Sequence, residues 1–331
     1  MRVLLSPLAI PYGVVTALRN SLFDWGILKQ STFEIPIINV GNLSTGGTGK
    51  SPMVMKIAGM LKDKKRVAVL SRGYGRKTKG FLEVFTTSAA GEVGDEALQL
   101  KLRLPEIGVF VCEDRVAAIQ RILAQNKVEV VILDDAFQHR YVKAGLNILL
   151  TPAHKPYSTD FLLPLGNLRE RRAGSRRADA VVVTKIEAKH SHDIEDWKII
   201  LRTEERQALF LSRIQYGAPV FPFLTERKEM PNEVVLITGI ADSTSYVDFL
   251  RTKSRIAQHY AYPDHFIFTE AMIEKWLANH PDTFFWTTEK DWMRLRNIWP
   301  KGQQQIGYTP IETDIFAGTS KFEELIEKYV G

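Results

Sequence analysis

The sequence holds a single cysteine, Cys112. An intrachain disulfide is therefore impossible, and no Cys-based zinc cluster can form. One thiol fits a reducing compartment. Long apolar runs are missing as well. The first stretch, apolar from Val3 to Leu18, falls short of the ~20 residues that span a bilayer, and Pro7, Pro11 and Gly13 interrupt it. A secretory signal is a weak alternative for it, because Arg2 supplies only a thin charged region and no clear small-x-small cleavage site follows. The chain has no internal repeat and no low-complexity tract. Nucleic-acid signatures are absent too: there is no helix-turn-helix pattern, no RNP-type aromatic motif and no zinc-finger spacing. A nucleic-acid-binding NTPase thus has charge in its favour but no motif.

What is present is ordinary globular material. Of 331 residues, 45% are hydrophobic and 25% charged, which excludes a disordered, collagenous or multi-span membrane chain. That length suggests two domains with a sizeable core. The net charge of +6 suits a polyanionic ligand or an anionic membrane face, and by itself decides nothing. After Pro11 the pattern turns helical, with Val14, Leu18 and Leu22 on one face and Arg19, Asn20 and Asp24 elsewhere. Such a helix either packs on its own domain or lies in a membrane interface.

Short apolar runs alternate with helical windows. Residues 35–40, 66–71, 107–112, 128–133, 147–151 and 180–184 read as buried strands, and 52–62 as a helix. This is the pattern of βαβ units and a parallel sheet. A second cycle follows, with strands at 234–238 and 283–287 and helices at 245–253 and 321–329. Between the cycles, Gln215–Asn232 carries Gly217, Pro219, Pro222 and Pro231. The expected organisation is an α/β P-loop NTPase core with a mostly parallel sheet over residues 1–214, and a smaller α/β domain over 215–331.

The strongest local signal is Thr45-Gly46-Gly47-Thr48-Gly49-Lys50-Ser51, between a strand and a helix. Glycines let backbone N–H groups wrap an anion, and the helix N-terminus adds its positive end. Lys50 can reach the β/γ-phosphates and the Ser51 hydroxyl can ligate Mg²⁺. Ser44 stands where the strict P-loop has Gly. A second signal is Asp134-Asp135 at the end of an apolar strand. A carboxylate there, beside the P-loop strand, can hold Mg²⁺ directly or through water. Two adjacent carboxylates cannot point the same way, so one faces the metal and the other orients water or a basic side chain.

Further segments, in order, point to one family: VGNLSTGGTGKSP (40–52), LSRGYGR (70–76), VGDEA (93–97), DDAFQH (134–139), LPLGNLR (163–169), YPDHFIFT (262–269) and TTEKD (287–291). With them the chain resembles the tetraacyldisaccharide 4′-kinases, the ATP-dependent lipid A kinases of Gram-negative bacteria, over about residues 1–295. That family carries Ser or Thr at the position of Ser44. Two places depart from its pattern: Ala136 replaces a Gly, and GIADSTSY (239–246) lacks an Asn-Pro.

The resemblance implies phosphorylation by ATP of the 4′-hydroxyl of tetraacyldisaccharide 1-phosphate. It also implies a peripheral enzyme on the cytoplasmic face of the inner membrane, with nucleotide and sugar in a cleft between two domains. In that reading Lys50, Ser51 and Asp134 neutralise phosphate charge. Asp95 accepts the hydroxyl proton and His265 pairs with it across the cleft. The residues alone favour less for both: Asp95 opens a helical run and reads as a cap, and a lone histidine is most often structural. Arg72 and Arg115 are candidate phosphate ligands. Glu96 is a further candidate, and Gln138 and His139 would orient the carboxylates, with packing under the sheet as the equal alternative for His139. Arg169–Arg177, the densest basic run, reads as a solvated face or a phosphate grip. Glu289 and Lys290 read as a pair closing a loop. The competing function is a membrane-associated P-loop switch ATPase controlling a protein partner, which would have no use for an Asp–His pair.

Overall fold

The computed structural model describes residues 6–125, 127–187, 192–224, 226 and 229–331. Arg2 and the start of the apolar stretch at Val3 lie outside them, as does part of the Gln215–Asn232 connection. The chain begins with α1 (Ser6–Asp24), β1 (Ile37–Asn42), α2 (Lys50–Leu61), β2 (Val67–Ser71) and β3 (Leu82–Glu83). It continues through α3 (Ala90–Val93), α4 (Asp95–Arg103), β4 (Gly108–Val111), α5 (Arg115–Gln125), β5 (Val130–Asp134) and β6 (Leu146–Pro152). Then come β7 (Ala180–Thr184), α6 (Ile194–Leu201) and β8 (Ala208–Tyr216).

These strands form a sheet of order β8-β7-β6-β1-β5-β2-β4-β3. All neighbours pair in parallel except β3, which runs antiparallel to β4. Strands covered on both faces read as unbroken apolar runs, and β1, β5 and β7 are buried along their whole length. β1 lies between β5 and β6: from β1 the chain runs to β2 and β4 on one side, then returns through β5 and crosses to β6 on the other. Ligands of open α/β sheets bind at such a switch point, outside the C-terminal strand ends.

The second cycle comprises β9 (Glu233–Thr238), α7 (Thr244–Arg251), β10 (Arg255–Ala261), α8 (Glu270–Asn279), β11 (Phe284–Thr288), α9 (Glu289–Leu295) and β12 (Ile306–Thr309). Its strands make a separate parallel sheet of order β10-β9-β11-β12. The chain then departs from expectation. β13 (Ile311–Ala317) pairs antiparallel with β8 and becomes the edge of the large sheet, and α10 (Thr319–Val330) follows it. The Tyr329 hydroxyl donates to the Ile37 carbonyl at 3.1 Å and accepts from its N–H at 3.0 Å, which ties α10 to β1. Residues 311–331 thus belong with the large sheet, and the expected boundary at 214/215 falls inside β8.

One apolar core runs through both units. Ile38, Met53 and Leu98 of the first are continuous with Val235, Phe285, Trp292 and Leu295 of the second. The joint is α4 against α9. There Arg103 grips both oxygens of Glu289, at 2.6 and 2.7 Å, and Gln99 donates to Glu289 at 2.7 Å. Glu289 therefore pairs with the first unit, not with its neighbour Lys290.

Close packing also fixes the strand that carries the phosphate loop. A Cβ at Gly41 would lie 2.6 Å from the Phe137 Cβ and 3.0 Å from its backbone nitrogen. Gly41→Ala should therefore push the segment after Asp134-Asp135 away. Overpacking of this kind typically costs ~1–3 kcal/mol, which urea unfolding would register as a lower midpoint together with weaker nucleotide binding.

Candidate active site

The phosphate loop spans the gap from β1 to α2. Gly46 and Gly49 adopt φ of 103° and 87°, the left-handed region that side chains resist, so glycine is needed at both. Thr48 and Thr184 hold the loop from below: Asn42 Nδ2 donates to Thr48 Oγ1 at 2.7 Å, and Thr184 Oγ1 donates to the Thr48 carbonyl at 2.8 Å. Asn167, in the LPLGNLR segment, receives the Thr45 N–H at 2.8 Å. Lys50 and Ser51 open α2, so both stand at its positive end. Lys50 is half-buried, not an exposed loop tip, and its Nζ lies 3.8 Å from Asp135 Oδ2. Lys185, which the sequence did not single out, overhangs the loop. Its Nζ would be 3.7 Å from a Cβ on Gly47.

The two carboxylates at the end of β5 diverge. Asp135 turns through a φ of 54° and is gripped by Arg169 at 3.0 and 3.1 Å. Burial pushes its pKa up, but Lys50 and Arg169 outweigh that and hold it below the usual range. Asp134 is buried, and its Oδ1 has no partner among the described residues. Burial, then the charges of Glu96 and Asp135, push its pKa to about 7. A carboxylate so poorly compensated suits a cation not supplied by the chain. Among the described residues no group of three or more His, Cys, Asp or Glu side chains could hold a metal ion on its own.

Gln138 and His139 part company. Gln138 donates to the Asn42 carbonyl at 2.9 Å and to Glu170 at 3.0 Å, which ties the carboxylate loop to β1. Burial and Arg115 push His139 down to about 4, so it is neutral at pH 7, edge-on to Tyr141. Arg115 is buried at the start of α5, donating to the Cys112 and Glu113 carbonyls at 3.1 and 3.0 Å, while Arg72 is exposed. The basic run is only partly a solvated face. Arg169 serves Asp135, and Arg177 pairs with the buried Glu170 at 2.7 Å.

Asp95 is the first residue of α4, and its Oδ1 accepts the Glu96 N–H at 2.9 Å, a local helix-start contact. Its Oδ2 meets His265 Nδ1 at 3.0 Å across 170 positions of sequence. The structure thus brings the two predicted residues together. His265 adopts a φ of 58°, and the Tyr74 ring lies 5.0 Å from its imidazole. A helix-start role alone would not require that partner. Burial pushes Asp95 up, yet the His265 hydrogen bond and the charges of Lys290, His265 and Arg294 bring it below its usual range.

Two cations beside the pair went unassigned from sequence. Arg294 places Nε 3.7 Å from Asp95 Oδ2 and is itself fixed by the Gly239 and Phe266 carbonyls, at 2.8 and 3.0 Å, and by Asp291. Lys290 lies one turn before it. Their spacing of four on a helix puts both on one face, and that was the available signal.

A nucleotide-type phosphate loop at the switch point of a parallel sheet, with an acidic strand end beside it, defines a P-loop nucleotide-binding α/β protein. The comparisons with known proteins narrow this class. The family model described as tetraacyldisaccharide-1-P 4′-kinase matches residues 1–331. A tetraacyldisaccharide 4′-kinase of Flavobacterium johnsoniae is 38% identical, covering 100% of this chain and 97% of the relative. One from Parabacteroides distasonis is 39% identical, covering 99% and 94%. A crystal structure of LpxK from Aquifex aeolicus in complex with ATP superposes with a TM-score of 0.80 at 32% identity, covering 100% of this chain and 99% of that one. The chain belongs to the tetraacyldisaccharide-1-P 4′-kinase family.

Proposed function

We infer that the protein is a kinase transferring the γ-phosphate of ATP to the 4′-hydroxyl of tetraacyldisaccharide 1-phosphate, a step of lipid A synthesis. Beside the family membership, the observation that carries this reading is the 3.0 Å contact between Asp95 and His265, next to Glu96, whose charge acts on Asp134 at the acidic end of β5. A switch ATPase needs the loop but not that pair. In our account residues 45–51 cradle the phosphates and Lys50 balances charge on the transferring group. Asp95 aligns the acceptor hydroxyl and takes its proton late, while His265 orients Asp95. The units carrying Asp95 and His265 act as two domains enclosing this cleft.

The donor set fits Mg²⁺. Asp134, with its unpartnered oxygen, and Ser51 would hold the ion together with nucleotide phosphates, whose charge it would neutralise. Asp135 is committed to Arg169 and Lys50 and instead orients them. Purified protein with Mg²⁺, [γ-³²P]ATP and the disaccharide should move label into an organic-extractable glycolipid. Label released only as free phosphate would favour the switch ATPase.

The substrate's acyl chains place the enzyme at a membrane surface, and we assign α1 as the contact on the cytoplasmic face of the inner membrane. No helix among the described residues is long and apolar enough to cross a membrane. α1 is turned outside-in for a soluble protein. Its polar side faces the body: Tyr12 donates to the Arg169 carbonyl at 2.7 Å, Arg19 to the Gln138 carbonyl at 2.9 Å and Asn20 to Glu170 at 2.6 Å. Leu8, Ile10, Val14, Val15 and Leu18 are each more than half exposed. Burying such side chains fully is worth ~1.5–3 kcal/mol apiece, enough in sum for peripheral binding. Val15→Glu with Leu18→Glu should abolish co-flotation with anionic vesicles while ATP binding persists. Unchanged flotation would remove α1 as the anchor.

A further inference from the structure

Lys290 belongs to neither the phosphate loop nor the Asp95–His265 pair, yet it touches both units of the fold. Its Nζ lies 3.1 Å from Glu96 Oε1 on α4, and 3.3 Å from both Asp264 Oδ1 and His265 Nε2. The side chain is largely buried. It stays charged, because the charges of Glu96, Asp95 and Asp264 outweigh the burial that would lower its pKa.

An ammonium has three donors and no acceptor. Here its neighbours are two carboxylate oxygens and one ring nitrogen. Three donors find three acceptors only when His265 Nε2 carries its lone pair. The ring proton then sits on Nδ1, which faces Asp95 Oδ2. We propose that Lys290 is a positioning residue that sets the His265 tautomer, so that Nδ1–H donates to Asp95 and the carboxylate stays ionised for the acceptor hydroxyl. This rests on the Asp95–His265 reading above. The second ring nitrogen of a functional histidine is commonly fixed in this way by a partner that does not touch substrate.

The same contacts give the proposal a pH signature. His265 is faced by Asp95, Asp264 and Lys290, with the Tyr74 ring alongside. Asp95 is faced by His265 and Arg294, with the Lys290 charge close by. The Asp95 hydrogen bond raises the His265 pKa, and Lys290 opposes that rise. Without Lys290 the ring protonates at higher pH and holds Asp95 as a weaker base. Asp95 also loses a charge that keeps its own pKa low. Both effects move the acid limb of the kcat profile to higher pH.

The test compares Lys290→Met, Lys290→Gln and Lys290→Arg in the full chain, with and without His265→Ala. Rates are followed across pH, and ¹⁵N shifts report the His265 ring. Lys290→Met and Lys290→Gln should lower kcat by about 10-fold to 10²-fold, the scale of small misplacements, with KM for ATP unchanged. Their acid limb should move up, and the ring should lose its Nδ1–H preference. Lys290→Arg should restore most of both. In the His265→Ala background Lys290→Met should lower kcat little further, leaving only the limb shift from the charge that Asp95 loses. If His265→Ala is impaired but the Lys290→Met limb and ring shifts stay native, the tautomer role is wrong and the pair survives. If His265→Ala is fully active, the pair itself falls and the proposal with it.

Discussion

Lys50→Ala should lower kcat by about 10²-fold to 10³-fold while leaving a folded protein, because a positioned charge on the reacting group is worth that much when removed. Lys50 stands at the head of α2, where the helix end and the glycine-rich turn already gather positive potential. Its own contribution is a charge that can follow the transferring phosphoryl group. The nearest carboxylate, Asp135, keeps both Arg169 contacts when Lys50 is gone, and buried Asp134, which Lys50 also helps to compensate, can take up a proton instead of standing as a stranded charge. Circular dichroism and urea unfolding should therefore match the parent. A purified Lys50→Ala protein with near-normal turnover would overturn the nucleotide assignment.

The second large effect is expected at Asp95 and His265. A sugar hydroxyl remains protonated at neutral pH, and phosphoryl transfer passes through a loose transition state, so little nucleophile charge is needed early. The base aligns the hydroxyl and receives its proton late. Asp95→Ala and His265→Ala should each reduce kcat by ~10²–10⁴, the range for positioned acid–base groups. Groups that act as one unit lose activity non-additively, so the double mutant should be scarcely worse than the poorer single one. Nucleotide binding should persist in all three, since residues 45–51 are untouched. Losses that multiply would mean two separate roles.

How far these features could be read in advance follows from their range along the chain. β7 has the ends expected of it, and β1, β2, β5 and β9 differ by a residue or two, because continuous apolar runs mark buried parallel strands. β13 went unread as a strand because IETDIFA lacks a clean apolar–polar alternation. What makes it an edge of the large sheet is antiparallel pairing with β8, about a hundred positions away, and no local pattern encodes that. The site divides in the same way. The phosphate loop and Asp134-Asp135 are contiguous and were legible from chemistry alone. The meeting of Asp95 with His265 was expected only through family resemblance. Lys290 and Arg294 join them because α9 docks on α4, with Glu289 gripped by Arg103. α1 shows the reverse case: its exposed face was visible as a stripe, but only the fold reveals that its polar side bonds to the carboxylate loop through Arg19 and Gln138.

The most direct test of the central claim is the position of the new phosphate. Purified protein would be given ATP, Mg²⁺ and tetraacyldisaccharide 1-phosphate, and the isolated product examined by ³¹P–¹H correlation. The account predicts a second phosphorus signal coupled to H-4′ of the distal glucosamine, present with the parent protein and lost with Asp95→Ala. Phosphorus at another hydroxyl, or ATP consumed with inorganic phosphate as the only product, would contradict it.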